Sequence, residues 1–150
     1  MSTPRPIVEA ALTAYLESFA ESVPVLSGVS ILPGQSTDDR PLPVVIVYAS
    51  GASTADGLPE GLGNYAVEVQ VTLLSSADDP QGDEAALDAH QDRLAALTDA
   101  LRDTAGVVDG WPSGSRLYDL TLGDDTEARD GRKLGNTISL RALVCVGLAG

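Results

Sequence analysis

From Tyr65 to Leu73 the chain alternates: Tyr, Val, Val, Val and Leu stand at 65, 67, 69, 71 and 73, with Ala, Glu, Gln and Thr between them. A period of two sends the first set to one face of a strand and the second to the other. Residues 64–74 therefore read as a half-buried sheet strand around which the rest is organised. The run TISLRALVCVGL near the C-terminus repeats the texture, with Ile138, Leu140, Ala142, Val144, Val146 and Leu148 on one face and Thr137, Ser139 and Arg141 on the other. It is the expected antiparallel companion of the first strand.

Helical spacing marks two other stretches. From Ile7, the positions Val8, Leu12, Leu16 and Phe19, joined by Ala11 and Tyr15, form one apolar stripe. Thr3 is placed to cap this helix, Pro4 and Pro6 fit its opening turn, and it should end before Pro24. After the main strand, Leu87, His90, Leu94, Leu97 and Leu101 recur every three or four residues, which predicts a second helix to about Thr104, stopped by Gly106. Asp88, Asp92, Asp99 and Asp103 lie on its other faces and are expected to be solvated. Short strands are predicted around Val29 to Leu32, at VVIVYAS after Pro43, and around Arg116 to Leu122. The glycine-rich segment 50–63 lacks periodicity and reads as a loop with Leu58 and Leu62 as its apolar points. Asp130-Gly131 is a good hairpin tip, so the two closing strands could extend outward as a β-arm.

The order helix, strand, strand, strand, helix, strand, strand predicts one α+β domain over residues 1–150, with a mostly antiparallel sheet of about five strands and both helices on one face. A chain of 150 residues buries roughly 68 to 70% of its unfolded surface, enough for a real core. With aromatics at 4%, that core must be built of Val, Leu, Ile and Ala.

Charge narrows the partners. Net charge is −13, from 22 acids against nine Lys and Arg, and residues 76–130 hold 14 of the acids with only four Arg. An electrostatic grip on nucleic acid or an anionic membrane needs clustered cations, which this composition argues against. The one dense basic cluster, Arg129, Arg132 and Lys133, falls on the predicted hairpin, beside Asp130. The N-terminus MSTPRPIVEA has no charged stretch followed by a long apolar run, and no segment reaches 18 apolar residues. Cytoplasmic assembly is expected. Cys145, the single cysteine, sits in an apolar strand and is expected to be a buried structural thiol.

No motif states a chemistry. Gly51-Ala52-Ser53-Thr54-Ala55 follows a strand, but a nucleophile elbow must turn straight into a helix, and DGLPEGLG follows instead. The lone His90 has no second histidine or cysteine with which to hold a metal. Asp124, Asp125, Glu127 and Asp130 lack calcium-loop spacing, with Arg129 among them and no closing Glu. No Walker loop or dinucleotide fingerprint is present. No catalytic residue, cofactor or metal is predicted, and the chain is not expected to be an enzyme.

The whole pattern has a likeness: an N-terminal amphipathic helix, two short strands reaching P-x-V-V-I-V, a long alternating strand, one amphipathic helix, and a hairpin ending TISLRALVCV. It resembles the tail terminator, or tail-completion, proteins of long-tailed bacteriophages and related particles over residues 6–147. The resemblance implies a structural virion subunit and carries no catalytic residues over. It implies a hexameric ring at the head-proximal end of the tail that caps the tail tube, ends its polymerisation and meets the head-side connector. Its implied partners are copies of itself, the tube protein and the connector or neck proteins, with DNA passing through the lumen unbound and no membrane involved. On this reading Leu58, Leu62, Arg129, Asp130, Arg132 and Lys133 are the candidate interface residues. The alternatives are another tail or neck component, such as a tube subunit or head–tail adaptor, and a small non-catalytic binding module.

Overall fold

A computed structural model describes residues 4–34, 42–55, 63–77, 82–112, 114–130 and 133–146. The elements are helix α1 (Pro4–Glu21), a 3₁₀ turn (Pro24–Leu26), β1 (Ser30–Pro33), β2 (Val44–Thr54), β3 (Asn64–Ser76), α2 (Asp83–Arg102), α3 (Thr104–Asp109), β4 (Ser115–Asp130) and β5 (Lys133–Val146). The strands form one sheet in the order β1-β2-β3-β5-β4. All neighbours run antiparallel except β1 and β2, which are parallel. This is the expected α+β architecture, with a third, short helix added.

The alternating strand sits at the centre of the sheet. Val67 pairs with Ala142, Val69 with Leu140 and Val71 with Ile138, so the two apolar sets meet on one face. There they join Val45, Val47 and Ala49 of β2 under Val8, Leu12 and Leu16 of α1 and Leu97, Ala100 and Leu101 of α2. Each such Val or Leu is worth about 1.5–3 kcal/mol of burial. Both long helices thus cover one face, as the pattern requires. Cys145 is fully buried, as expected, although its parity places it on the opposite face from Val144.

Strand β4 shows how packing overrides simple alternation. Its inward leucines switch parity, from Leu117 to Leu120 and Leu122, and a bulge between Leu117 and Asp119 absorbs the extra residue so that each still faces β5, at Val144, Ala142 and Leu140. A second irregularity, between Leu122 and Asp125, brings Asp125 into the row of Ile138.

Several expectations need correction. Gly106 does not end the second helix: α2 stops at Arg102, and Gly106 lies inside α3, where its N–H donates to Asp103 Oδ1 at 3.1 Å. Asp103 is exposed, as expected, but it caps this new helix. Leu87 is 38% exposed, and the smaller Ala86 takes the buried position in that turn. The segment read as a loop from residue 50 begins as strand, because β2 keeps its ladder with β3 to Thr54↔Tyr65 through a bulge after Ala49. Strand β4 likewise runs well past Leu122. The closing hairpin is no free two-stranded arm, since β3 flanks β5 out to Ser76↔Lys133. Thr3, the expected cap of α1, lies outside the described residues.

Candidate interaction surfaces

The edge where β1 ends is closed by α1. Strand β1 covers β2 only from Val44 to Val47, and the Gly34 N–H reaches Val47 O at 2.8 Å. One step further, the Ala49 N–H donates to Glu9 Oε2 at 2.7 Å, and Arg5 Nε donates to Ala49 O at 2.9 Å. Arg5 and Glu9 lie one helical turn apart, so both reach the backbone of the same residue and satisfy the groups that a further strand would use. At the other edge β4 is long and carries Asp119, Asp124, Asp125 and Glu127, all exposed, which disfavours indiscriminate strand pairing.

The face away from the helices is polar at its centre. Glu68 lies opposite Arg141, Gln70 opposite Ser139, and Thr72 opposite Thr137. The threonine hydroxyls meet at 3.0 Å. The Glu68–Arg141 pair is at 3.7 Å with both side chains 59% exposed, so it adds little stability and leaves an open hydrogen-bonding surface.

A polar relay runs from the core at Ser75 and His90 out to the surface at Asp125. His90 is 2% exposed, its Nδ1 lies 2.8 Å from Ser75 Oγ and its Nε2 2.7 Å from Asn136 Oδ1. Asn136 Nδ2 donates to Asp125 Oδ1 at 3.0 Å, which turns the amide oxygen towards the ring and places the proton on Nε2. Nδ1 is then free to accept from the Ser75 hydroxyl, whose oxygen accepts from Arg93 Nη1 at 3.3 Å. The relay fastens α2 to β3, β5 and, through Asp125, to β4. It has the outline of a nucleophile, a base and an orienting group, yet Ser75 is fully buried and engaged by two partners, so its oxygen cannot meet a substrate. His90 and Asp125 border one cleft of about 240 Å³ beneath Leu87 and Leu134. Ser53 stands apart, exposed near the end of β2.

A larger cleft, of about 560 Å³, lies at the carboxyl end of α1, with Glu17 and Glu21 on its rim and Ala20, Val23, Leu26 and Ile31 among its apolar walls. No helix is long and apolar enough to cross a membrane, and no cluster of three or more metal-ligating side chains occurs among the described residues.

Of the candidate interface residues, Lys133 is exposed at the start of β5, paired with Asp130 and Ser76. Arg129 and Asp130 close β4, in register with Leu134 and Lys133. Leu58, Leu62 and Arg132 lie outside the described residues. The Arg5–Glu9 clamp, the acidic cleft and the partners of His90 were missed by sequence reasoning. Two signals were available: Ser75 continues the odd series 65–73, and Asn136 the even series of Ile138 and Leu140.

No model of a known protein family matches the chain, and no curated protein sequence does. Among solved structures, a chain from the virion of a native gene transfer agent particle superposes with a TM-score of 0.62 at 15% identity, covering 91% of this chain and 96% of its own. The sheath/tube terminator of an extracellular contractile injection system (PVC), in its extended state, gives a TM-score of 0.45 at 13% identity, covering 100% of this chain and 60% of its own. The first likeness establishes a shared fold over nearly the whole of both chains.

Proposed function

We propose that this chain is a structural subunit of a tailed, virion-like particle and acts as its tail terminator: a homo-oligomeric ring, hexameric by the resemblance, that caps the tail tube, ends its growth and meets the head-side connector. The observation that carries the reading is the near-complete fold overlap with a virion chain, 91% of one and 96% of the other. A ring subunit needs two different patches that fit each other, so that a head-to-tail rotation closes. The two unlike sheet edges, one short and clamped by Arg5 and Glu9 and one long and acidic, are consistent with that geometry. A net charge of −13 suits a lumen through which DNA slides without adhering, since like charges repel. On this reading the protein is not an enzyme, binds no cofactor or membrane, is assembled in the host cytoplasm and resides at the head-proximal end of the tail.

Native mass measurement with electron microscopy of the purified protein tests this. A closed ring with a central hole that binds tube ends is the expected result. A protein that stays monomeric at every concentration and never binds tube ends overturns it, and open tubes of the protein would identify a tube subunit instead.

A further inference from the structure

We propose that strand β4 of one copy adds to the open end of β2 in the next, so that neighbouring subunits share one continuous sheet; the inference rests on the ring reading above. Strand β1 leaves β2 after Val47, and no described strand flanks β2 on that side from Tyr48 to Thr54. The Arg5–Glu9 clamp occupies only Ala49. Beyond it Ser50, Ala52, Ser53 and Thr54 are exposed, and none carries the charge or the proline ring with which an edge is normally blunted. The Ala55 N–H donates to Asn64 O at 3.0 Å, so alternation along the ladder turns the backbone N–H and C=O of Ala52 and Thr54 outward. The helix layer stands back here, leaving a cleft of about 450 Å³ among Pro4, Arg5, Pro6, Glu9 and Ala52.

The occupant follows from level, direction and charge. The row Ala52, Val67, Ala142, Leu120 crosses the sheet from the open end of β2 to β4, and the next row holds Ser53, Ala66, Leu143 and Asp119. The two edges therefore stand at one height, as a ring closed by rotation alone requires. Strand β4 pairs regularly with β5 from Asp119 to Leu122, between its two bulges, and the row of Leu122 ends at Ala49, where the clamp stands. The stretch on offer and the stretch left open thus match in length. Three antiparallel pairings lead from β2 to β4, so the two run in opposite directions, and a copy rotated about an axis along the strands brings its β4 to β2 antiparallel. Charge disfavours two β4 edges back to back, which would set Asp119, Asp124 and Glu127, all exposed, against the same acids. On the β2 side Glu9 is engaged with the Ala49 N–H, while the exposed Arg5 and the positive end of α1, whose first turn holds no acid, favour an acidic strand.

The test is a cross-link that only this contact can form. Ser53 and Asp119, both exposed, share a row but lie three strand spacings apart within one copy, about 14 Å, beyond the reach of a disulfide. Across the proposed contact they are direct neighbours. The double variant Ser53→Cys, Asp119→Cys, mildly oxidised, should give a ladder of covalent oligomers on a non-reducing gel, while an equal mixture of the two single variants should stop at dimers. Ala52→Pro removes one outward N–H without touching the ladder to β3; it should weaken association about tenfold in sedimentation velocity, with unchanged circular dichroism, and serves if the double variant does not fold. Wild-type rings whose folded double variant stays uncrosslinked, or Ala52→Pro associating with wild-type concentration dependence, overturn the inference and leave the ring reading intact. Dimers of Ser53→Cys alone overturn it too, by identifying a two-fold contact between β2 edges. A wild-type protein that never associates overturns the ring reading and the inference with it.

Discussion

Replacing His90 by leucine tests whether the relay is a structural fastening. Leucine has a similar volume, so the substitution keeps the space filled and removes only the polar partners. It strands the Ser75 hydroxyl proton, in a fully buried residue, and deprives Asn136 Oδ1 of its donor at 2.7 Å. The buried Ser75 hydroxyl alone costs about 1–3 kcal/mol, and the half-buried Asn136 adds less because water can replace its donor, giving a loss on the order of 1–4 kcal/mol against a total stability of about 5–15 kcal/mol. His90→Ala should add about 1–2 kcal/mol for the cavity it leaves. Urea denaturation measures this directly, with an unchanged m-value showing that the same two states are compared. Asp92→Ala, on the exposed side of the same helix, is the control and should stay within about 0.5 kcal/mol of wild type. A double-mutant cycle with Asn136→Ala should return a coupling of about 0.5–3 kcal/mol. If His90→Leu matches the Asp92 control, the ring is not held as described and the reasoning fails.

Glu9→Ala should cost about 1–3 kcal/mol by stranding the Ala49 N–H, and light scattering should show more self-association because the blocked edge opens. Gly106→Ala puts a Cβ against the Asp103 carboxylate, so Asp103 should give up its cap and α3 lose about 0.5–2 kcal/mol, visible as a lower melting temperature. Tyr15 donates to Ala100 O at 2.9 Å, and its phenol is raised above the ordinary 10.0, first by burial and then by the nearby Asp103 carboxylate. The folded state therefore holds this proton longer than the unfolded one. Its share of stability is intact below pH 10.0 and falls as pH rises beyond it; Tyr15→Phe should remove that dependence, checked by denaturation at a series of pH values.

Much of the fold was legible because one face of the sheet is dry. The odd series 65–73 and the even series 138–144 had to lie on one surface facing the core, and they do, fully buried from Val67 to Leu73 and from Ile138 to Val144, with Tyr65 half-buried at the margin. Helix α1 was equally plain, since Val8, Leu12 and Leu16 leave no other stripe. What could not be read was wherever the backbone, not the side chain, decides. Strand β2 continues through Ser50 to Thr54 on small residues whose pattern signals no strand, because β3 supplies the ladder. The far half of β4 is polar at Asp125 and Glu127 yet remains strand through its pairing with β5. Gly106 has the composition of a stop, and only the Asp103 cap makes it part of a new helix. Charge drew attention to Lys133 and its neighbours, while the cleft at Glu17 and Glu21 was not legible, because it forms only once the 3₁₀ turn and β1 fold back against the end of α1.

The placement of β3 bears on how the protein is made. Its neighbour on one side, β2, precedes it, but its neighbour on the other, β5, follows only after α2, α3 and β4. Until then a nascent chain offers an apolar ribbon with one bare margin, prone to wrong partners. Because β5 also pairs with β4, the sheet closes only when this later strand arrives, and the order of synthesis sets how long the central strand stays half-sheltered.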